Sequence, residues 1–221
     1  DQVELALMRM GEHNVARAYV LYREERSKQR ALQREAQQEA AAPAHPIINV
    51  SEHGVTRPLD MARVRVLVEG ACEGLGGQVR PDSVLDAMQR DLYDGVPMSE
   101  VRKSLVLAAR ALIEQEPAYT YVTARLLLHT LRLETLGEEV LQGEMGARYA
   151  DYLPQFVQRG IEAELLDERL ASYDLKCLGA ALDSSRDLKF TYLGLQILYD
   201  RYFLHIGGQR IELPQIFYMR V

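Results

Sequence analysis

The chain has 221 residues, 48% hydrophobic and 26% charged, with a net charge of −6 and a pI near 5.5. That composition fits an ordinary globular protein with ample material for a buried core, and it lacks the basic stripe of a nucleic-acid-binding surface. The two cysteines, Cys72 and Cys177, form no CxxC, which excludes a zinc finger or disulfide scaffold and fits a reducing, cytoplasmic setting. With no apolar run of about 18 residues and no leader-like start, neither a membrane span nor a signal peptide is expected.

Residues 2–10 and 14–30 read as helices split by Gly11-Glu12-His13, with Asn14 as an N-cap and Val15, Ala18, Tyr19 and Tyr22 at helical spacing. The Gln-, Ala- and Glu-rich stretch that follows reads as a frayed extension and a linker ending at Pro43 and Pro46. Ile47, Ile48, Val50, Val55 and Thr56 flank Glu52-His53-Gly54, a hairpin signal. Asp60 then caps a helix with Met61, Val64, Val68, Ala71, Cys72 and Leu75 at the 3.6 period. A second helix carries Leu85, Met88 and Leu92 and stops at Tyr93-Asp94-Gly95. Ser99 is expected to cap a third, and Pro117 interrupts before a fourth from Ala118. That fourth helix is apolar nearly all round and is expected at the centre of a bundle.

After Gly137, residues 147–158, 161–172 and 174–182 read as short amphipathic helices. Arg186-Asp187 is expected as an exposed pair or a cap before a helix with Leu193, Leu195, Ile197, Leu198, Tyr199 and Tyr202. Gly207-Gly208 suits a tight hairpin, and Pro214 opens a final helix whose Ile216, Phe217, Tyr218, Met219 and Val221 are expected to be buried. The apolar start and the helix without a stop signal lead us to expect both ends to be cut from a longer protein. Residues 3–30 and 101–134 share an outline of apolar helix, break and Val-Ala-Arg or Val-x-Ala-Arg opening a second helix, a weak internal repeat.

Gly54, Leu59-Asp60, Ala71-Cys72-Glu73-Gly74-Leu75, Leu92-Tyr93-Asp94-Gly95-Val96 and Tyr119-x-Tyr121-Val122-x-Ala124-Arg125-Leu126 occur in the order and spacing of an ATP-cone. Residues 1–30 resemble the last two helices of another cone. Asp183-x-x-Arg186-Asp187-x-x-Phe190-x-Tyr192 and the segment from Tyr202 to Val221, with its Glu-x-Pro-Gln…Met-Arg-Val run, resemble the class I ribonucleotide reductase large subunit. The resemblance implies a mainly α fold: a helical-bundle ATP-cone with a small β-hairpin lid, followed by the helical N-terminal domain of the reductase. The implied organisation is the end of a first cone at 1–30, a linker at 31–46, a second cone at 47–138 and the helical domain at 139–221, stopping before the catalytic barrel.

Cones of this family hold a nucleotide between lid and helices, with a Lys-Arg pair before the lid glycine to neutralise phosphate. The matching positions here are Ser51 and Glu52, followed by His53. Arg57 replaces a lid acid, Asp60 and Arg63 keep polar character at the start of the first helix, and Met98 and Leu133 replace a threonine and a lysine. The resemblance thus implies a cone with a degenerate nucleotide site. Cys72, on an apolar helix face, reads as a small core hydrophobe, and Cys177 has no cationic neighbour in sequence to activate it. The five histidines show no metal-ligand spacing. His129 reads as a core or interface residue, and the helical tyrosines as packing groups with peripheral hydroxyls.

By resemblance the chain is the regulatory N-terminal region of an enzyme that reduces ribonucleoside diphosphates for DNA synthesis. The fragment itself would hold no cofactor and no metal and would lack the catalytic cysteines, while ATP and dATP act as allosteric effectors of the parent. The implied partners are other large subunits in a homo-oligomer, a radical-bearing small subunit and a thioredoxin-type reductant, with no nucleic acid and no membrane. The alternative is a free-standing ATP-cone regulator or transcriptional repressor, which needs four zinc-ligating cysteines and a short chain after the cone.

Overall fold

The computed structural model describes residues 48–221 with the exception of His53. The helices expected at 2–10 and 14–30, the linker and the first cone lie outside the described residues. Strand β1 (Asn49–Glu52) pairs antiparallel with β2 (Val55–Pro58) around Gly54, whose φ of 80° a residue with a Cβ adopts only under strain. A third strand, β3 (Val96–Pro97), joins β1 in parallel, Val50 opposite Val96. The Tyr93-Asp94-Gly95 turn makes this pairing possible. Asp94 Oδ1 accepts from the backbone and side-chain nitrogens of Asn49 at 2.8 and 2.9 Å, and Gly95 N–H donates to Asn49 C=O at 2.8 Å.

Helix α1 (Met61–Cys72) starts where Asp60 Oδ1 accepts from Arg63 N–H at 3.0 Å, and it buries Val64, Val68, Ala71 and Cys72. Helix α2 (Pro81–Asp91) begins with Pro81 in its first turn and buries Val84, Leu85 and Met88. Leu92 follows the helix rather than lying on it. Helix α3 (Met98–Ala111) begins two residues earlier than expected: Pro97 is the N-cap, without a side-chain bond, and Ser99 falls inside the first turn. Strand β3 runs up to Pro97, so sheet pairing and not capping sets this boundary.

Helix α4 (Tyr119–Leu136) ends at Gly137, whose φ is 76° and whose N–H reaches Leu133 C=O at 2.9 Å. Val122, Leu126, Leu127, Leu128 and Leu131 are buried, and so are the polar Thr123, Arg132 and Thr135. The helix packs on α1 and α3 and also on the elements that follow it, which explains its nearly continuous apolar surface.

The next segment departs from expectation. One helix, α5 (Met145–Glu162), runs through Pro154 and through the expected break near residue 160. Gly160 is not a breaker here; Leu166 folds back onto the space a Cβ would fill, 2.4 Å from the Leu166 methyl carbon. A 3-10 turn at Glu168–Ser172 replaces the remainder of the expected second helix. The short α6 (Leu175–Ala180), capped by Asp174, brings Gly179 against α5, where a Cβ would lie 2.8 Å from Ala150 Cα. Helix α7 (Tyr192–Arg201) is capped by Thr191. Strands β4 (His205–Ile206) and β5 (Gln209–Arg210) turn through Gly207 and Gly208, both at positive φ. Helix α8 (Pro214–Arg220) buries Gln215 and Ile216 but leaves Tyr218, Met219 and Val221 exposed, so the apolar run is not buried throughout.

A 3-10 turn at Ser184–Lys189 carries Asp187, and its environment overturns the surface reading. Asp187 is 1% exposed. Its Oδ2 accepts from Arg132 Nη2 at 3.1 Å and from the Tyr149 hydroxyl at 2.8 Å, and its Oδ1 accepts from Gln215 Nε2 at 2.8 Å. Arg132 Nη2 also donates to Gln142 Oε1 at 2.7 Å. Burial pushes the Asp187 carboxyl above the usual range, and the donors from Gln215, Arg132 and Tyr149 pull it part of the way back. The Tyr149 hydroxyl, buried beside this carboxylate, is held well above the usual tyrosine range and stays a donor.

Two stability outcomes follow from this packing. Asp187→Ala leaves a buried guanidinium and a buried hydroxyl without their acceptor and is expected to cost about 3–5 kcal/mol, read as a lower urea midpoint. Gly179→Ala drives a methyl into the α5 backbone and is expected to cost about 1–3 kcal/mol in the same measurement.

Candidate functional site

The hairpin β1–β2, helices α1, α3 and α4 and the segment 137–144 surround a cavity of about 1220 Å³. Drug-sized ligands occupy pockets of roughly 300–1,000 Å³, so the space is ample for a small molecule. Arg57, Asp60, Arg63, Met98 and Leu133 all line it. Ser51 does not. Successive strand residues face opposite sides of a sheet, and on β1 it is Val50 and Glu52 that line the cavity; half-buried Ser51 lies between them in register with Thr56 and Pro97.

The charges on this wall are largely engaged from within. Arg57 Nη2 pairs with Glu52 Oε2, and Arg63 Nη2 pairs with Glu139 Oε2. Asp60 is occupied as the α1 cap. Arg125 Nη1 donates to the backbone carbonyls of Ala71 and Glu73, at 3.0 and 2.6 Å, where the end of α1 leaves carbonyls free. Arg132 is committed to Gln142 and Asp187. Of the lining arginines, Arg102 is the one with no hydrogen-bond or ion-pair partner among the described residues. His129 faces the same space, and burial holds its pKa below the usual imidazole value, so it is mainly neutral at pH 7.

Arg102, Arg125, His129, Arg132 and Glu139 had not been grouped as site residues from sequence. A signal existed for three of them: positions 125, 129 and 132 recur at i, i+4 and i+7, one face of a helix. Nothing local marks Glu139, which reaches Arg63 across 76 positions.

The remaining candidates are structural in placement. Cys72 is buried, and burial pushes its thiol up to about 11, with Arg125 opposing the shift. Cys177 is exposed on α6. No cluster of His, Cys, Asp and Glu suited to a metal occurs among the described residues, nor is any described helix long and apolar enough to cross a membrane. Tyr119 and Arg80 exchange hydrogen bonds, the Arg80 N–H reaching the hydroxyl at 2.9 Å. Tyr199 donates to Glu134 at 2.8 Å beneath the Arg210 guanidinium, and its own pKa is pushed up to about 12, chiefly by burial.

This is a mainly helical chain with a small hairpin closing one large cavity. No protein-family model matches it. It is similar to the ribonucleoside-diphosphate reductase alpha subunits of Chlamydia muridarum and Chlamydia trachomatis serovar D, 36% identical in each case over the whole chain and 21% of the relative. It is also similar to the ribonucleoside-diphosphate reductase 1 alpha subunit of Escherichia coli K12, 28% identical over 76% of the chain and 22% of that protein. These curated homologues are ribonucleoside-diphosphate reductase alpha subunits, and the chain aligns with their N-terminal region. It spans about a fifth of the length of the curated relatives it matches.

The two thiols separate in a simple test. At pH 8 only about one Cys72 in a thousand is ionised, given its pKa. Iodoacetamide followed by peptide mass spectrometry is therefore expected to modify exposed Cys177 first, with Cys72 reacting mainly after denaturation.

Proposed function

We propose that this chain is the regulatory N-terminal region of a ribonucleoside-diphosphate reductase large subunit, an enzyme that makes deoxyribonucleotides in the cytoplasm under ATP and dATP control. In this reading residues 1–30 end a first ATP-cone, 47–138 form a second, and 139–221 are the helical domain that precedes the catalytic barrel. The order of elements from β1 to α4, a hairpin followed by four helices of which α1, α3 and α4 line the cavity, supports the second assignment. The parent works with other large subunits, a radical-bearing small subunit and a thioredoxin-type reductant.

The second cone is a packed spacer that does not hold dATP tightly. One observation carries this: the arginines nearest the lid, Arg57 and Arg63, are each held by a carboxylate of the same chain. At the position where a cone needs cations, Glu52 adds a charge that repels phosphate, and Met98 and Leu133 supply no polar contact. Two lost charge-assisted contacts at about 1.5–3 kcal/mol each weaken binding by about two to four orders of magnitude.

Calorimetric titration of the 221-residue chain with dATP is expected to give no saturable binding in the micromolar range, and a micromolar dissociation constant would overturn the assignment. The resemblance also implies chemistry that needs a thiyl cysteine and a reducing pair, whereas this chain has two cysteines in all. Supplied with small subunit and reductant, the chain alone is expected to leave CDP unreduced, as followed by chromatography of the nucleotides.

A further inference from the structure

The cavity wall carries five arginines against six carboxylates, one negative charge in excess, and two of those carboxylates are not placed by accident of a mobile side chain. Glu139 sits on a segment pinned at both sides. Before it, Gly137 ends α4 in the left-handed region and Glu138 pairs with Arg148 of α5 at 2.6 Å. After it, Val140 is buried, and Glu144 Oε2 accepts from Leu141 N–H at 3.3 Å. These anchors leave Glu139 presented to Arg63, the residue whose N–H is capped by Asp60 at the head of α1. On the other side of the cavity, strand alternation turns Glu52 inward, and the hairpin register sets it opposite Val55, two residues from Arg57 on the adjoining strand.

We infer that the cavity is autoinhibited toward polyanions: Glu139 and Glu52 act as tethered occupants of Arg63 and Arg57, so the fold supplies from within the negative groups that a phosphate chain would bring. This rests on the reading of the second cone as a site that does not bind tightly, and it adds a cause that lies in the tertiary structure. Missing lid cations alone would leave Arg57, Arg63 and Arg102 available to an anion. The two tethered carboxylates remove the first two from that set and repel whatever approaches the third. The device uses no buried charge, since both carboxylates keep part of their surface in water, at 29% for Glu52 and 38% for Glu139. Their neutralisation is therefore compatible with an unchanged core.

The test is titration of the full 221-residue chain with inorganic tripolyphosphate, in the native sequence, in Glu139→Gln and in the double variant Glu52→Gln with Glu139→Gln. Glutamine keeps shape and hydrogen bonding and removes only charge. The native chain is expected to bind weakly and the double variant at least about tenfold more tightly. Adding Arg63→Gln to the double variant is expected to abolish the gain. Glu114→Gln, an exposed site away from the cavity, is expected to change nothing. If the native chain binds weakly and the double variant, folded by circular dichroism, binds no better, the autoinhibition is wrong while the reading of the degenerate cone stands. If the native chain already binds tripolyphosphate or dATP tightly, that reading itself fails. A gain that survives Arg63→Gln, or that Glu114→Gln reproduces, also overturns the inference, because it would mark a general charge effect.

Discussion

The carboxylate of Asp187 is the point on which the described residues are assembled. An ionised group taken out of water is tolerated only when it is paired and its remaining lone pairs are satisfied. Here that requirement draws in Arg132 from α4, Tyr149 from α5 and Gln215 from α8, while Gln142 Oε1 accepts a second hydrogen bond from Arg132. None of these partners can be shifted without orphaning another. The network acts as a constraint on register: it specifies which turns of α4, α5 and α8 meet the 3-10 turn that carries Asp187. Two further carboxylates repeat the pattern nearby. Glu134 accepts from Tyr199 and from Arg210, and buried Glu212 holds Leu204 N–H and Arg220. Together they fasten the β4–β5 hairpin and α8 to the rest of the helical layer.

Helix α4 gains its central place from this arrangement. Its cavity face carries Leu128, His129 and Leu133, and from the same face Arg132 reaches into the Asp187 network. Arg132 belongs to both, since its side chain also lines the cavity. The cavity and the helices beyond residue 138 thus share a wall, and the core runs without a break from Val50 to Ile216.

Much of the architecture was legible in the chain because it rests on local chemistry. Asp60 before Met61, Pro81 in a first turn, Gly137 after Leu136 and Gly207-Gly208 between two short strands each fix a boundary through a backbone requirement that no distant contact has to supply. The all-round apolar surface of 119–136 announced a central helix for the same reason. Errors occurred where a residue with a strong local meaning was reused. The break expected between residues 158 and 161 lies within α5, Ser99 reads as a cap but follows a strand that ends at Pro97, and the last apolar run presents only one face to the core.

The candidate site divides along the same line. The resemblance to an ATP-cone grouped Ser51, Arg57, Asp60, Arg63, Met98 and Leu133, and the cavity collects all of them except Ser51, which strand alternation turns away. The sequence by itself determined the helical class, the hairpin, the principal caps and the absence of lysine and arginine just before Gly54, because each is set by residues within a short stretch. Only the tertiary structure decided that Glu139 reaches Arg63 from 76 positions away, that β3 completes the sheet, and that Asp187 is buried against Arg132 instead of lying in solvent. The reason is physical: a charged side chain is compatible with water or with a buried partner, and nothing in its immediate sequence says which of the two the fold will provide.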